Sequence, residues 1–169
     1  MQYCYCLFCE TTKCKKVASY LVRSGIDYAF SPQIIKRQRK KGENIDVMFD
    51  LLPGYVFAYT CNPLKDVAIL RVDGVIKLLG VPEYGYCLDG EDHAFALELL
   101  KRNGIVDVIK AIRIGDTVKL VDDLFYGCEG EIAQIDYRKQ RAKVVFSFAG
   151  TSCSSWVACD VIDSVDILG

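Results

Sequence analysis

Residues 3–9, YCYCLFC, carry apolar side chains at every position, which predicts a strand covered on both faces. Tyr3, Tyr5, Leu7 and Cys9 point one way, and Cys4, Cys6 and Phe8 the other. Thr11 or Thr12 then offers a cap for a helix that runs to Ser24 and ends at Gly25. Its apolar positions, Cys14, Val17, Ala18, Leu21 and Val22, recur at helical spacing, while Lys15, Lys16, Ser19 and Arg23 take the solvent side. Residues 29–35 read as extended and broken by Pro32, with residues 36–41 as a loop. Leu51 to Thr60 is a Pro-Gly turn feeding an aromatic, β-branched strand. Asn62-Pro63 starts a second helix running to about Val72, and Val75–Leu79 is a short strand. Residues 80–90 form a loop, and a third helix spans Glu91–Arg102, with Ala94 and Leu97, and then Leu100 and Lys101, one turn apart.

After Gly104 the period changes. Strands at 117–121, 130–136, 142–148 and 155–157 arrive at hairpin spacing, separated by turn residues and with no helical stripe. The fold class is therefore α+β: an α/β sandwich over residues 1–104, a linker at 105–112, and a small closed β-barrel over 113–169. In the barrel, Ile132, Val144 and Phe146 are the interior positions, and Gly127 and Gly130 permit tight turns.

Composition narrows the function. The 169 residues are 51% hydrophobic and 25% charged, which is globular, and no apolar run approaches the roughly 20 residues that span a bilayer. The start lacks a signal-peptide pattern, so a cytoplasmic protein is expected. A net charge of −1 argues against a protein that coats nucleic acid. The positive charge that exists is concentrated: Lys36, Arg37, Arg39, Lys40 and Lys41 fall within six residues, either a solvated loop or a polyanion contact.

Nine cysteines, four of them in the first 14 residues, raise a metal or redox alternative. Cys4, Cys6 and Cys14 occupy strand and stripe positions, where cysteine behaves as a small hydrophobe. The spacing C-x-C-x2-C-x4-C matches no common zinc knuckle, and the sole histidine, His93, is remote, so neither metal nor cofactor is expected. No glycine-rich phosphate loop or nucleophile pair stands out, and no enzyme is expected.

Two motifs carry more. Leu52-Pro53-Gly54-Tyr55-Val56-Phe57 is followed by Val72-Asp73-Gly74-Val75. Downstream come Gly115-Asp116-Thr117-Val118-Lys119, Gly127-Cys128-Glu129-Gly130-Glu131-Ile132 and Lys139-Gln140-Arg141-Ala142-Lys143-Val144. In this order the motifs resemble those of the NusG family of transcription elongation factors, an NGN α/β domain followed by a KOW motif on an SH3-like barrel, and the resemblance covers nearly the whole chain. Read from the residues alone, Tyr5, Tyr55 and Phe57 are packing residues. The resemblance instead implies that Leu52 and Tyr55 are exposed, with Tyr5, Pro53 and Gly54 beside them, in an apolar cavity for the clamp helices of the largest RNA polymerase subunit. It further implies recruitment by structured RNA or non-template DNA. Lys36, Arg37, Arg39, Lys40 and Lys41 are the first candidates for that contact, Lys15, Lys16 and Arg23 the second, and Arg138, Lys139, Arg141 and Lys143 the third.

The chain departs from the family pattern in two places. Thr12 stands where the family has a glycine, and 148–157 lacks the barrel signature by which general members meet a ribosomal protein or Rho, so the resemblance does not carry those partners over. A monomeric, specialised paralogue resembling the LoaP group is the expectation, with a stand-alone RNA- or ribosome-binding protein as the alternative. The β-branched barrel strands also lead us to expect a stable barrel rather than a fold switch.

Overall fold

The computed structural model describes residues 2–164, except for the side chains of Arg37 and Asn44. Two compact units result: residues 1–32 with 52–104, and residues 33–51 with 105–169. Residues 33–51, which the sequence reading placed in the sandwich, thus group with the barrel.

In the first unit β1 (Tyr3–Cys9), β2 (Tyr28–Phe30), β5 (Tyr55–Thr60) and β6 (Val75–Leu78) form an antiparallel sheet in the order β2-β5-β1-β6. β1 matches the sequence reading residue for residue. One face, Tyr5, Leu7, Cys9, Val56 and Ala58, joins a core cluster with Cys14, Val17, Ala18 and Leu21 of α1 (Cys14–Arg23). On the other face the Phe57 and Phe95 rings lie 6.3 Å apart, and the Tyr59 hydroxyl donates to the Ala96 carbonyl at 2.7 Å, so α2 (Gly90–Lys101) covers it.

Four helical expectations need correction. Val22 is 45% exposed and lies off the buried stripe of α1, and Thr11 and Thr12 lie in a 3-10 turn rather than capping the helix with their hydroxyls. The inner face of α2 is Phe95, Ala96 and Leu99, because the Phe95 ring, not the smaller Ala94, fills the space beside Phe57. The expected helix over 62–72 is a 3-10 turn at Val67–Leu70, where the Asp66 carboxylate accepts from the Ala68 N–H at 2.8 Å and so favours a local turn over helix propagation.

The second unit contains a hairpin and a barrel-like sheet. β3 (Gln33–Lys40) and β4 (Glu43–Asp50) are antiparallel, joined at Lys41-Gly42, both with positive φ as a tight hairpin turn requires. Residues 36–40, expected as a loop, are therefore strand, and β7 (Ile105–Val106) pairs parallel with Gln33 and Ile34. The expected linker at 105–112 is also strand. It consists of β7 and then most of β8 (Val108–Ile114), which joins β9 (Thr117–Leu120), β10 (Glu131–Asp136), β11 (Arg141–Phe148) and β12 (Thr151–Asp163) in the order β10-β11-β12-β8-β9. Strict alternation on β11 buries Ala142, Val144, Phe146 and Phe148. Ile132, expected inside, is only half-buried, and β12 is far longer than the expected 155–157.

Gly104 shows how tightly the first unit is closed. Its N–H donates to the Leu99 carbonyl at 2.8 Å as α2 ends, its φ is +73°, and an added Cβ would lie 2.5 Å from a Phe30 ring carbon. Gly104→Ala is therefore expected to lower stability by about 2 kcal/mol through backbone strain and overpacking. An unchanged urea midpoint for that variant would contradict this packing.

Candidate functional site

The Leu52-Pro53-Gly54-Tyr55 turn is fixed by backbone bonds. Tyr55 N–H donates to the Leu52 carbonyl at 3.1 Å, and Cys9 N–H donates to the Gly54 carbonyl at 2.7 Å, tying the turn to the end of β1. Gly54 has φ +89°, and a Cβ there would meet a Phe8 ring carbon at 3.0 Å and the Cys9 carbonyl at 3.1 Å, so the turn needs glycine. Tyr55 stands opposite Phe8 across the ladder, with ring centroids 5.3 Å apart at 66° in an edge-to-face pair. Lys77 of β6 flanks Phe8 on its other side.

The five residues expected to form an apolar binding cavity separate into two groups. Tyr55 is half-buried and Pro53 is exposed, whereas Tyr5 and Leu52 are buried at 2% and 3% exposure and Gly54 is buried backbone. Tyr5 belongs to the core: its hydroxyl accepts from the Leu64 N–H at 2.9 Å and pins the 62–66 segment to the sheet. The expected exposure of Leu52 is thus corrected. Half-buried Phe8 is the neighbour that the sequence reading passed over, although its ladder position opposite Tyr55 is a consequence of the strand pairing.

The cationic candidates lie in both units. Lys15, Lys16 and Arg23 are exposed on α1 in the first. In the second, Arg39, Lys40 and Lys41 are exposed around the hairpin tip, and the Lys36 ammonium sits 4.8 Å from the Phe49 ring centroid. The side chain of Arg37 lies outside the described residues. Arg138 and Lys139 are exposed in the β10–β11 turn, and Lys143 stands opposite Trp156. The Arg141 guanidinium lies 4.6 Å from the Trp156 ring centroid while its Nε sits 3.3 Å from an Asp136 carboxylate oxygen. Lys36, Lys139, Arg141 and Trp156 line one cleft of about 510 Å³ within this unit. Two of the three cationic groups predicted from sequence therefore meet there, around a tryptophan that the sequence reading did not single out.

The four early cysteines are core residues. Cys4, Cys6, Cys9 and Cys14 are buried, and burial pushes the Cys4 and Cys9 thiols up to about 12, where they stay protonated and weakly nucleophilic at neutral pH. Burial likewise raises the Tyr59 hydroxyl. Among the described residues no group of three or more His, Cys, Asp or Glu side chains could hold a metal, and His93 Nε2 lies 3.0 Å from the Gln2 carbonyl. No helix among those residues is long and apolar enough to cross a membrane.

A mixed α/β unit with an aromatic turn at its sheet, followed in sequence by a five-stranded sheet, defines the class, and comparison with known proteins supplies the family. The family model described as transcription termination factor NusG matches residues 2–90, more than half of the chain, and the chain belongs to this family. The family is one of non-enzymatic transcription factors, which gives the chain a general role in transcription. The solved structure of Thermotoga maritima NusG, described for its domain interaction, is similar in fold at 18% identity, with 93% of each chain covered and a TM-score of 0.54. No match was found among curated proteins.

The raised thiols carry a stability consequence. An unfolded cysteine ionises near 9.0, whereas Cys4 and Cys9 ionise near 12 in the fold, so folding favours the protonated form. Their contribution is complete below about pH 9 and is lost as pH rises towards 12. The urea midpoint is expected to fall between pH 8 and pH 11, with Cys4, Cys6, Cys9, Cys14, Cys128 and Cys159 shielded from a thiol reagent until the chain unfolds. Rapid native-state labelling of all of these would contradict it.

Proposed function

We propose that the chain is a transcription elongation factor that binds the clamp helices of the largest RNA polymerase subunit and promotes processive transcription, in the manner of the LoaP-like antitermination paralogues. The observation that carries this reading is the Phe8–Tyr55 pair held beside Pro53 by a turn that requires Gly54. A half-buried tyrosine pre-set by an edge-to-face contact presents apolar area and a hydroxyl at little entropic cost, the character of an interface hot spot. Holding the clamp closed need not be strong: about 1.4 kcal/mol of preference for the elongating over the paused state shifts their ratio tenfold.

Recruitment in this reading comes from a structured RNA or the non-template DNA strand, met by Lys36, Arg37, Arg39, Lys40 and Lys41. α1, with Lys15, Lys16 and Arg23, and the β10–β11 turn add positive charge. The factor acts as a monomer in the cytoplasm, with an NGN-type polymerase-binding region in the N-terminal part and a KOW-type barrel in the C-terminal part. The changed 148–157 segment makes a ribosomal protein or Rho poor candidates for the barrel's partner.

Pull-down of purified RNA polymerase tests the reading. Wild type is expected to bind, Tyr55→Ala to bind about 30-fold more weakly, in the range of a hot-spot truncation, and Tyr55→Phe to retain most of the affinity. Neutralising Lys36, Arg37, Arg39, Lys40 and Lys41 together is expected to leave polymerase binding in place. Failure of the wild type to bind would sink the elongation reading in favour of a stand-alone RNA- or ribosome-binding role.

A further inference from the structure

The cleft of the second unit has a chemistry that the polymerase contact does not use. β3 is paired by β7 only at Gln33 and Ile34, and β12 is paired by β8 only from Ala158 onward. The cleft lies where the chain passes from the first pairing to the second, with Asp107 and Val108 among its lining residues. Trp156 stands opposite Lys143 on the outer side of the sheet, since the next pair, Ala142 with Val157, is buried inside. A tryptophan held half-exposed on a sheet exterior leaves aromatic area in water that burial would favour removing. The Arg141 guanidinium, held from behind by Asp136, adds a second planar cationic surface.

We propose that this cleft seats an unpaired nucleotide of a single-stranded nucleic acid, with its base stacked on Trp156 or the Arg141 plane and its flanking phosphates met by Lys36 and Lys139. Aromatic and guanidinium planes accept any base by stacking, and lysines at the rim accept phosphate. Asp46, Asp107 and Asp160 also line the cleft, so its charge is balanced and stacking supplies most of the affinity. An extended peptide adding to the open edge of β3 is the competing occupant, but a flat tryptophan–arginine surface suits a base better than an alternating strand. The proposal rests on recruitment of this factor by nucleic acid, and gives that contact a location and a ligand class.

Trp156 is the chain's only tryptophan, so its fluorescence reports directly on the site. The full chain would be titrated with an oligouridylate and an oligothymidylate of about 12 nucleotides, within the span a small barrel covers. Saturable quenching is expected, with a salt slope of about −1.4 for two phosphates on a single strand. Trp156→Ala is expected to weaken binding of the labelled oligomers about tenfold, a typical loss for one stacked base. Trp156→Phe should retain most of it, and Lys36→Gln with Lys139→Gln should flatten the salt slope. Quenching by either oligomer supports the proposal, and the tighter of the two distinguishes an RNA source from a displaced DNA strand.

Three outcomes would overturn the proposal: no quenching at low salt, oligomer binding that Trp156→Ala and the double lysine variant leave unchanged, or quenching by an extended valine- and threonine-rich peptide but by neither oligomer. Polymerase pull-down on the same variants keeps the two readings apart. Retained polymerase binding with no oligomer binding rejects the cleft alone. Quenching by an oligomer without polymerase binding rejects the elongation reading alone.

Discussion

The first unit depends on β1 being buried on both sides. Its seven residues alternate between a layer closed by α1 and a layer closed by α2, and Cys4, Tyr5, Cys6, Leu7 and Cys9 are all at 2% exposure or less. Removing such side chains from water contributes roughly 1.5–3 kcal/mol for each large one. Cysteine suits three of the inner positions because it fills little volume, and burial itself keeps the thiol protonated. The same strand then organises the surface. Its last residue donates to Gly54, its neighbour Phe8 packs on Tyr55, and the aromatic turn is placed by the end of a core strand rather than by a free loop.

Where one period dominated, the sequence was informative. β1 and the buried stripe of α1 could be read from spacing, as could the Pro-Gly turn before β5. α2 was harder, because GEDHAFALELLK has apolar residues around most of its circumference, and the phase is decided by Phe95 meeting Phe57, a contact between residues 38 apart in sequence. The β3–β4 hairpin hid for a different reason. Its lysines and arginines looked like solvated loop, but the ladder sets Lys40 against Glu43 at its tip and puts Lys36 over Phe49 further down, so charge that reads as breaker becomes cross-strand pairing.

The candidate sites were legible in part for the same physical reasons. Tyr55 could be identified because a Pro-Gly turn fixes the direction of the strand it opens, and the all-apolar strand pattern already read Tyr5 as packing, but the burial of Leu52 depends on packing that no local pattern reports. Trp156 was obscured by its serine-rich surroundings, TSCSSW, which suggested a decayed motif rather than the middle of a 13-residue strand. Its significance emerges only when the register brings Lys143 opposite it and Arg141, at the start of β11, lies over its ring.

A net charge of −1 limits how these surfaces can work. Counter-ions screen exposed charges beyond about 8 Å at physiological salt, so the hairpin lysines cannot draw nucleic acid from a distance in a chain that carries 22 acidic residues. Whatever the factor recognises must be met at short range. The Phe8–Tyr55 turn offers apolar area whose strength is nearly independent of salt, and the Trp156–Arg141 cleft offers stacking with only two lysines to sense phosphate. A protein built this way associates without electrostatic acceleration and gains its selectivity from how long contacts persist. In the proposed elongation reading, that suits a factor that stays with one transcribing complex.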